Sequence, residues 1–244
     1  MMLLVTAGSF VSASAGFGFA IVLVAVLQFF LDPVPLVGMI IILGCSAAGL
    51  RVIETRKIPN WKHTLYFIVP AFFGVPLGVA VLKFIDPMMM KRYLNIVLVS
   101  GVLMMAYSTN LKNRLRPKPA VIEKGNLLDA VVGFVSGFLG GSCTLSGPPI
   151  VMWCVFKGLP KIEMHALWAR FFFSIAIFAL LNLSVHGMYN RDTVIVSFCL
   201  LPAVFAGFRL GIWVRDKMPE ERFRFYVLGF LLLSGLTGFV MSFR

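Results

Sequence analysis

Acidic residues are what this sequence has least of: ten Asp and Glu in 244 residues, against 22 Lys and Arg. No carboxylate pair, metal-ligand cluster or Ser/His/Asp set falls within its apolar segments, and Asp129 is the only acid near an expected helical hairpin. The chemistry of a hydrolase or metalloenzyme therefore has no residues to run on, and the chain reads as a non-enzyme needing no cofactor or metal. The four cysteines (Cys45, Cys143, Cys154, Cys199) all lie in apolar segments and show neither zinc spacing nor a disulfide framework. Charge as a whole is scarce at 13%, about half the share of a soluble domain. With 59% hydrophobic residues, the chain has more apolar surface than one soluble core can hide. Uncharged runs such as Leu65–Leu82, Ile96–Tyr107 and Val194–Gly207 approach the roughly 20 residues that cross a bilayer. The sequence specifies an all-α, multi-pass integral membrane protein.

The net charge of +12 would point to nucleic acid in a soluble protein. Here the bases sit in short segments between apolar runs, where they set topology and touch lipid headgroups. No basic face with interleaved aromatics exists for a nucleic acid. Met1–Val11 followed by Ala13-Ser14-Ala15 has the outline of a signal peptide, but it lacks a basic n-region and has a counterpart later in the chain, so it is expected to stay attached.

That counterpart belongs to an internal duplication. Ser9-Phe10-Val11-Ser12 leads into Gly16 as Gly133-Phe134-Val135-Ser136 leads into Gly140. Pro70-Ala71 with Gly74 and Gly78 matches Pro202-Ala203 with Gly207 and Gly211, and Arg92-Tyr93 matches Arg224-Phe225. The expected organisation is a first repeat over 1–110, a basic linker over 111–124 and a second repeat over 125–244. Each repeat has one long apolar segment (2–31; 126–156) followed by three ordinary spans (34–52, 63–83 and 91–109; 164–187, 193–214 and 223–243).

Both long segments are interrupted, by Gly16-Phe17-Gly18 and by Gly140–Pro149. Pro148-Pro149 cannot continue a helix, because each proline lacks an N–H and obstructs the preceding turn. Two broken helices are therefore expected. If each is a re-entrant hairpin, segments 51–62, 110–124, 157–161 and 209–224 share one side and carry most of the Lys and Arg. If each crosses once, the two sides carry nearly equal positive charge. The positive-inside rule favours the hairpins, with both termini outside the plasma membrane. An odd number of crossings per half makes the repeats inverted, a common transporter plan.

The breaks are the candidate sites. Helix N-termini at membrane depth present free N–H groups and a positive dipole end to an anion. Ser142, Thr144 and Ser146 add hydroxyls around Gly141, Gly147 and Pro148; Ser14, Gly16, Phe17 and Gly18 form the matching break. The alternative is a glycine-rich packing kink with no ligand. Arg170 is the one cation well inside a span. It reads equally as a substrate contact or as an arginine snorkelling to the interface.

In Gly16-Phe17-Gly18-Phe19, in Gly140-Gly141 followed by Gly147-Pro148-Pro149, and in the Pro70 and Pro202 repeats, the sequence resembles the sulfite exporter TauE/SafE family over nearly its whole length. The family often has a proline after the first glycine motif, where this chain has Val24-Ala25-Val26. The resemblance implies a carrier for sulfite, a sulfonate or a related organic anion. An anion channel and a non-transporting membrane scaffold are the rival expectations. The expected partners are a small anion and lipid; oligomeric state is not readable.

Overall fold

The computed structural model describes residues 1–56, 61–114 and 126–215. These form nine α-helices with no strand among the described residues. In chain order they are α1 Met2–Ala15, α2 Phe19–Leu27, α3 Pro33–Glu54, α4 Trp61–Phe84, α5 Pro87–Arg114, α6 Leu127–Cys143, α7 Gly147–Phe156, α8 Lys161–Val185 and α9 Arg191–Arg215. The span expected over 223–243 lies outside the described residues, as does the Arg224-Phe225 half of the repeat.

Among the described residues, four helices are long and apolar enough to cross a membrane: Pro33–Glu54, His63–Phe84, Ile162–Val185 and Arg191–Arg215. Their outward faces carry large exposed apolar side chains, among them Phe73, Leu77, Phe198, Phe205 and Trp213. Water would penalise such a surface and lipid does not.

Both expected breaks are present. Gly16 ends α1 at φ 85 and Gly18 opens α2 at φ 101, left-handed conformations that glycine adopts without the Cβ clash of other residues. Thr144, at φ 63, ends α6, and Pro148 lies in the first turn of α7, where its missing N–H breaks no helical bond. The chain then folds back on itself. Gly8 of α1 faces Phe19 and Leu23 of α2, and Asp129 at the start of α6 meets Trp153 and Lys157 at the end of α7.

Each broken helix packs on a helix of the other sequence half. α6 lies along α4, and α1 along α9. Glycine makes both contacts close: a methyl at Gly74 would overlap the Phe134 carbonyl, and one at Gly207 would overlap the Thr6 carbonyl. Gly78 and Gly211 extend each contact by one turn, against Phe138 and Phe10. Small-xxx-small spacing of this kind lets helix backbones touch where lipid offers no hydrophobic drive for association. The buried Ser9 hydroxyl adds a hydrogen bond to the Val204 carbonyl, 2.7 Å away. α3 and α8 pack against each other between these two pairs.

Candidate functional site

The two breaks open on one cavity of about 100 Å³. Phe17, Gly18, Phe19, Ala20 and Ile21 come to it from the first break; Gly140, Thr144, Leu145, Ser146 and Gly147 come from the second. Facing stripes of α3 (Ile40, Ile41, Gly44, Ala47, Ala48, Arg51) and α8 (Phe172, Ile175, Ala176, Ala179) complete the wall, with Ser12. Both stripes follow the three-and-four spacing that puts residues on one helix face. No acid is among the described lining residues.

The polar groups at the wall are few. Phe19, Ala20 and Ile21 are the first residues of α2, and their N–H groups precede the first helical hydrogen bond, which runs from Val22 N–H to the Gly18 carbonyl. The start of α7 is poorer in donors. Pro148 and Pro149 have no N–H, so Gly147 alone offers one in the first turn before Ile150. The α7 terminus contributes its dipole and the Thr144 and Ser146 side chains more than backbone donors.

Arg51 supplies the charge. It sits in the last turn of α3, is 5% exposed, and lines the cavity. Its Nη1 donates to the Ser12 carbonyl at 3.1 Å, to the Ser12 hydroxyl at 3.2 Å and to the Gly16 carbonyl. Its guanidinium carbon lies 5.7 Å from the centre of the Phe172 ring, within cation–π range. Nε is buried and has no hydrogen-bond partner among the described residues. Glu54, one turn along, pairs with Arg215 at 2.5 Å instead. Arg51, expected in the charged segment 51–62 after the second span, is instead a buried residue of the last turn of α3.

The sequence-derived residues divide. Phe17, Gly18, Thr144, Ser146 and Gly147 line the cavity. Phe17 is fixed by an edge-on contact with Trp168, ring centres 5.5 Å apart. Gly16 stands behind the wall, with its carbonyl on Arg51 and its α-carbon against His165 and Trp168. Ser14 turns back onto the Phe10 carbonyl at 2.8 Å, and Ser142 onto the Phe138 carbonyl at 2.9 Å, with Tyr93 on its other side. Gly141 is pressed against the Val75 carbonyl of α4, and Pro148 against Gly101 of α5. Arg170 is 3% exposed and absent from the lining. Two residues from Phe172, it points about 200° around α8 from the cavity stripe.

Arg51 escaped sequence reasoning because it adjoins Glu54, Arg56 and Lys57 and looks like part of a charged loop. A signal was available: Gly44, Ala47, Ala48 and Arg51 fall at i, i+3, i+4 and i+7, so the arginine ends a stripe of small residues.

A family model described as sulfite exporter TauE/SafE matches residues 1–238. The chain belongs to that family. A curated relative from Haemophilus influenzae, named as a probable membrane transporter protein, is 26% identical over 208 residues, covering 83% of this chain and 79% of its own length. No solved structure matches. TauE/SafE membership and the four apolar helices make this a membrane protein of a transporter family.

Proposed function

We propose that this TauE/SafE chain is a secondary carrier that moves a small anion across the plasma membrane through the cavity between the two helix breaks. The observation that carries the reading is the meeting of both breaks at one cavity whose described lining holds a buried arginine and no acid. Two helix N-termini and a guanidinium in a low-dielectric wall favour an anion and repel a cation. The family description names sulfite export, so sulfite and sulfonates are the first substrates to try.

In this reading the halves 1–110 and 125–244 are inverted repeats, 111–124 links them in the cytoplasm, and the α1–α2 and α6–α7 hairpins are re-entrant from opposite faces. The reciprocal contacts α4–α6 and α1–α9 support it, because an inverted duplication exchanges equivalent helices about a two-fold axis. Thr144, Ser146, Gly147, Phe17 and Gly18 contact the substrate; Ser14, Gly16, Gly141, Ser142 and Pro148 hold the two tips in shape. Both termini are extracytoplasmic, and nothing in the cavity calls for catalysis.

Counterflow in proteoliposomes tests this. Vesicles preloaded with unlabelled sulfite or a sulfonate should accumulate the labelled anion transiently and saturably. Non-saturable flux would make the protein a channel, and no flux with any anion of the panel would leave a scaffold.

A further inference from the structure

Resting on that reading, we infer that Arg51 is the residue that reads the substrate's charge, and that the cavity takes an organic monoanion: one sulfonate or carboxylate head on Arg51, with a short apolar tail against Ile40, Phe172 and Ile175.

Three observations carry this. The first is the state of the guanidinium. A buried cation is costly unless an anion neutralises it, yet among the described residues its hydrogen-bond partners are a hydroxyl and two carbonyls, all neutral and all reached through Nη1. The nearest acid on its own helix is taken by Arg215. The Nε edge is left without a hydrogen bond. That edge, with the adjacent Nη2, is the fork that grips two oxygens of one oxyanion in parallel.

The second is valence. Among the described lining residues Arg51 is the only Lys or Arg, and none is acidic. A monoanion is neutralised there. A dianion would carry one uncompensated charge into a low-dielectric wall, which desolvation penalises heavily.

The third is the remaining surface. Ile40, Ile41, Phe19, Phe172, Ile175 and Leu145 give the cavity mostly apolar walls. A small inorganic ion would leave them unused, whereas each methylene of a tail that reaches them tightens binding about three- to fourfold.

Binding is measured at pH 7 on purified full-length protein in detergent, with methanesulfonate, butanesulfonate and sulfate as probes. Calorimetry, or the fluorescence of Trp168 beside Phe17, reports it. Wild type should bind butanesulfonate at least tenfold tighter than methanesulfonate, and sulfate weakest. R51Q should lose ten- to a hundredfold for both sulfonates while keeping their ratio, and R170Q should bind as wild type does. Arg51 also braces the end of α1, so R51K is the second variant: it keeps the charge and must still lose several-fold, because an ammonium cannot make the fork. Unchanged sulfonate affinity in R51Q, or in a folded R51K where R51Q does not fold, overturns the role of Arg51 and leaves anion carriage standing. Sulfate tighter than butanesulfonate overturns the monoanion. Binding as expected without counterflow sinks carriage and spares the Arg51 site; no binding of either sulfonate by wild type overturns the organic-monoanion site, while counterflow with sulfite still decides carriage.

Discussion

Lys157 Nζ lies 2.7 Å from the fully buried Asp129 Oδ1, and this pair ties the end of α7 to the first turn of α6. Trp153 Nε1 donates to the same carboxylate at 2.5 Å, and Asp129 also caps its own helix through the Asn126 N–H at 3.1 Å. The second hairpin is thus fastened at its base, far from the break that opens on the cavity. Replacing one member of a buried pair strands the other charge, at a cost of about 3–5 kcal/mol; the partial exposure of Lys157 puts Asp129→Asn near the lower figure. The double variant Asp129→Asn/Lys157→Gln should lose less than the sum of the two single changes. Unfolding of the three variants in mixed micelles measures this; strict additivity would mean that the pair does not couple.

Re-entrance makes a prediction that needs no substrate. Leu3 and Phe30 are strongly exposed near the two ends of the first hairpin, and Leu127 and Phe156 near the two ends of the second. On a background without cysteine, Leu3→Cys and Phe30→Cys should react with an impermeant thiol reagent from outside the cell. Leu127→Cys and Phe156→Cys should react only from inside. Labelling of Leu3→Cys and Phe30→Cys from opposite faces would show α1–α2 to be a full crossing and remove the inverted arrangement.

The breaks were legible in the sequence because they rest on local backbone rules. Gly16 and Gly18 take left-handed φ, and Pro148-Pro149 forces a fresh helix start, so no tertiary context was needed to see them. The four long apolar spans were legible for the same reason. What was not legible is which side of each break faces the cavity. Gly141 and Gly147 look equivalent in sequence, yet α4 presses on the first and the cavity opens at the second. Arg170 stood out because it lies well inside a span, while Arg51 fell in the charged segment 51–62. Burial follows helix face instead, since Arg51 shares a stripe with Gly44 and Ala47 whereas Arg170 lies across α8 from Phe172.

That division separates packing glycines from cavity glycines by experiment. Gly78→Ala and Gly207→Ala each drive a methyl into the backbone of a helix from the other half. Such overpacking should cost about 1–3 kcal/mol of stability, with the half-saturation of uptake in surviving protein unchanged. Gly141→Ala belongs to the same class, because its methyl would meet the Val75 carbonyl. Gly147→Leu should do the opposite, leaving stability near wild type and blocking uptake. Thermal unfolding set beside concentration-dependent uptake sorts them, and a stability loss for Gly147→Leu as large as that for Gly141→Ala would erase the distinction.

Thr144 carries the sharpest conflict between local preference and place. It is the one non-glycine residue with positive φ among the described residues, at 63°, and a β-branched side chain there is a backbone outlier. The left-handed conformation costs an L-residue roughly 1–2 kcal/mol. Glycine would remove that strain and return roughly 0.5–1 kcal/mol of it as extra entropy in the unfolded chain. Thr144→Gly should therefore stabilise the protein by about 1 kcal/mol. Strain of this kind persists at functional sites because the strained residue does something there, and Thr144 brings a hydroxyl to the cavity wall, with its Oγ1 2.5 Å from the Cys143 carbonyl. The same substitution should then weaken anion uptake several-fold, a gain in stability coupled to a loss of function. Thr144→Ser separates the two effects, since it keeps the hydroxyl and sheds only the methyl branch; it should retain most of the uptake and recover part of the stability. If Thr144→Gly transports as well as wild type, the hydroxyl has no part in binding and the strain serves only to turn the chain.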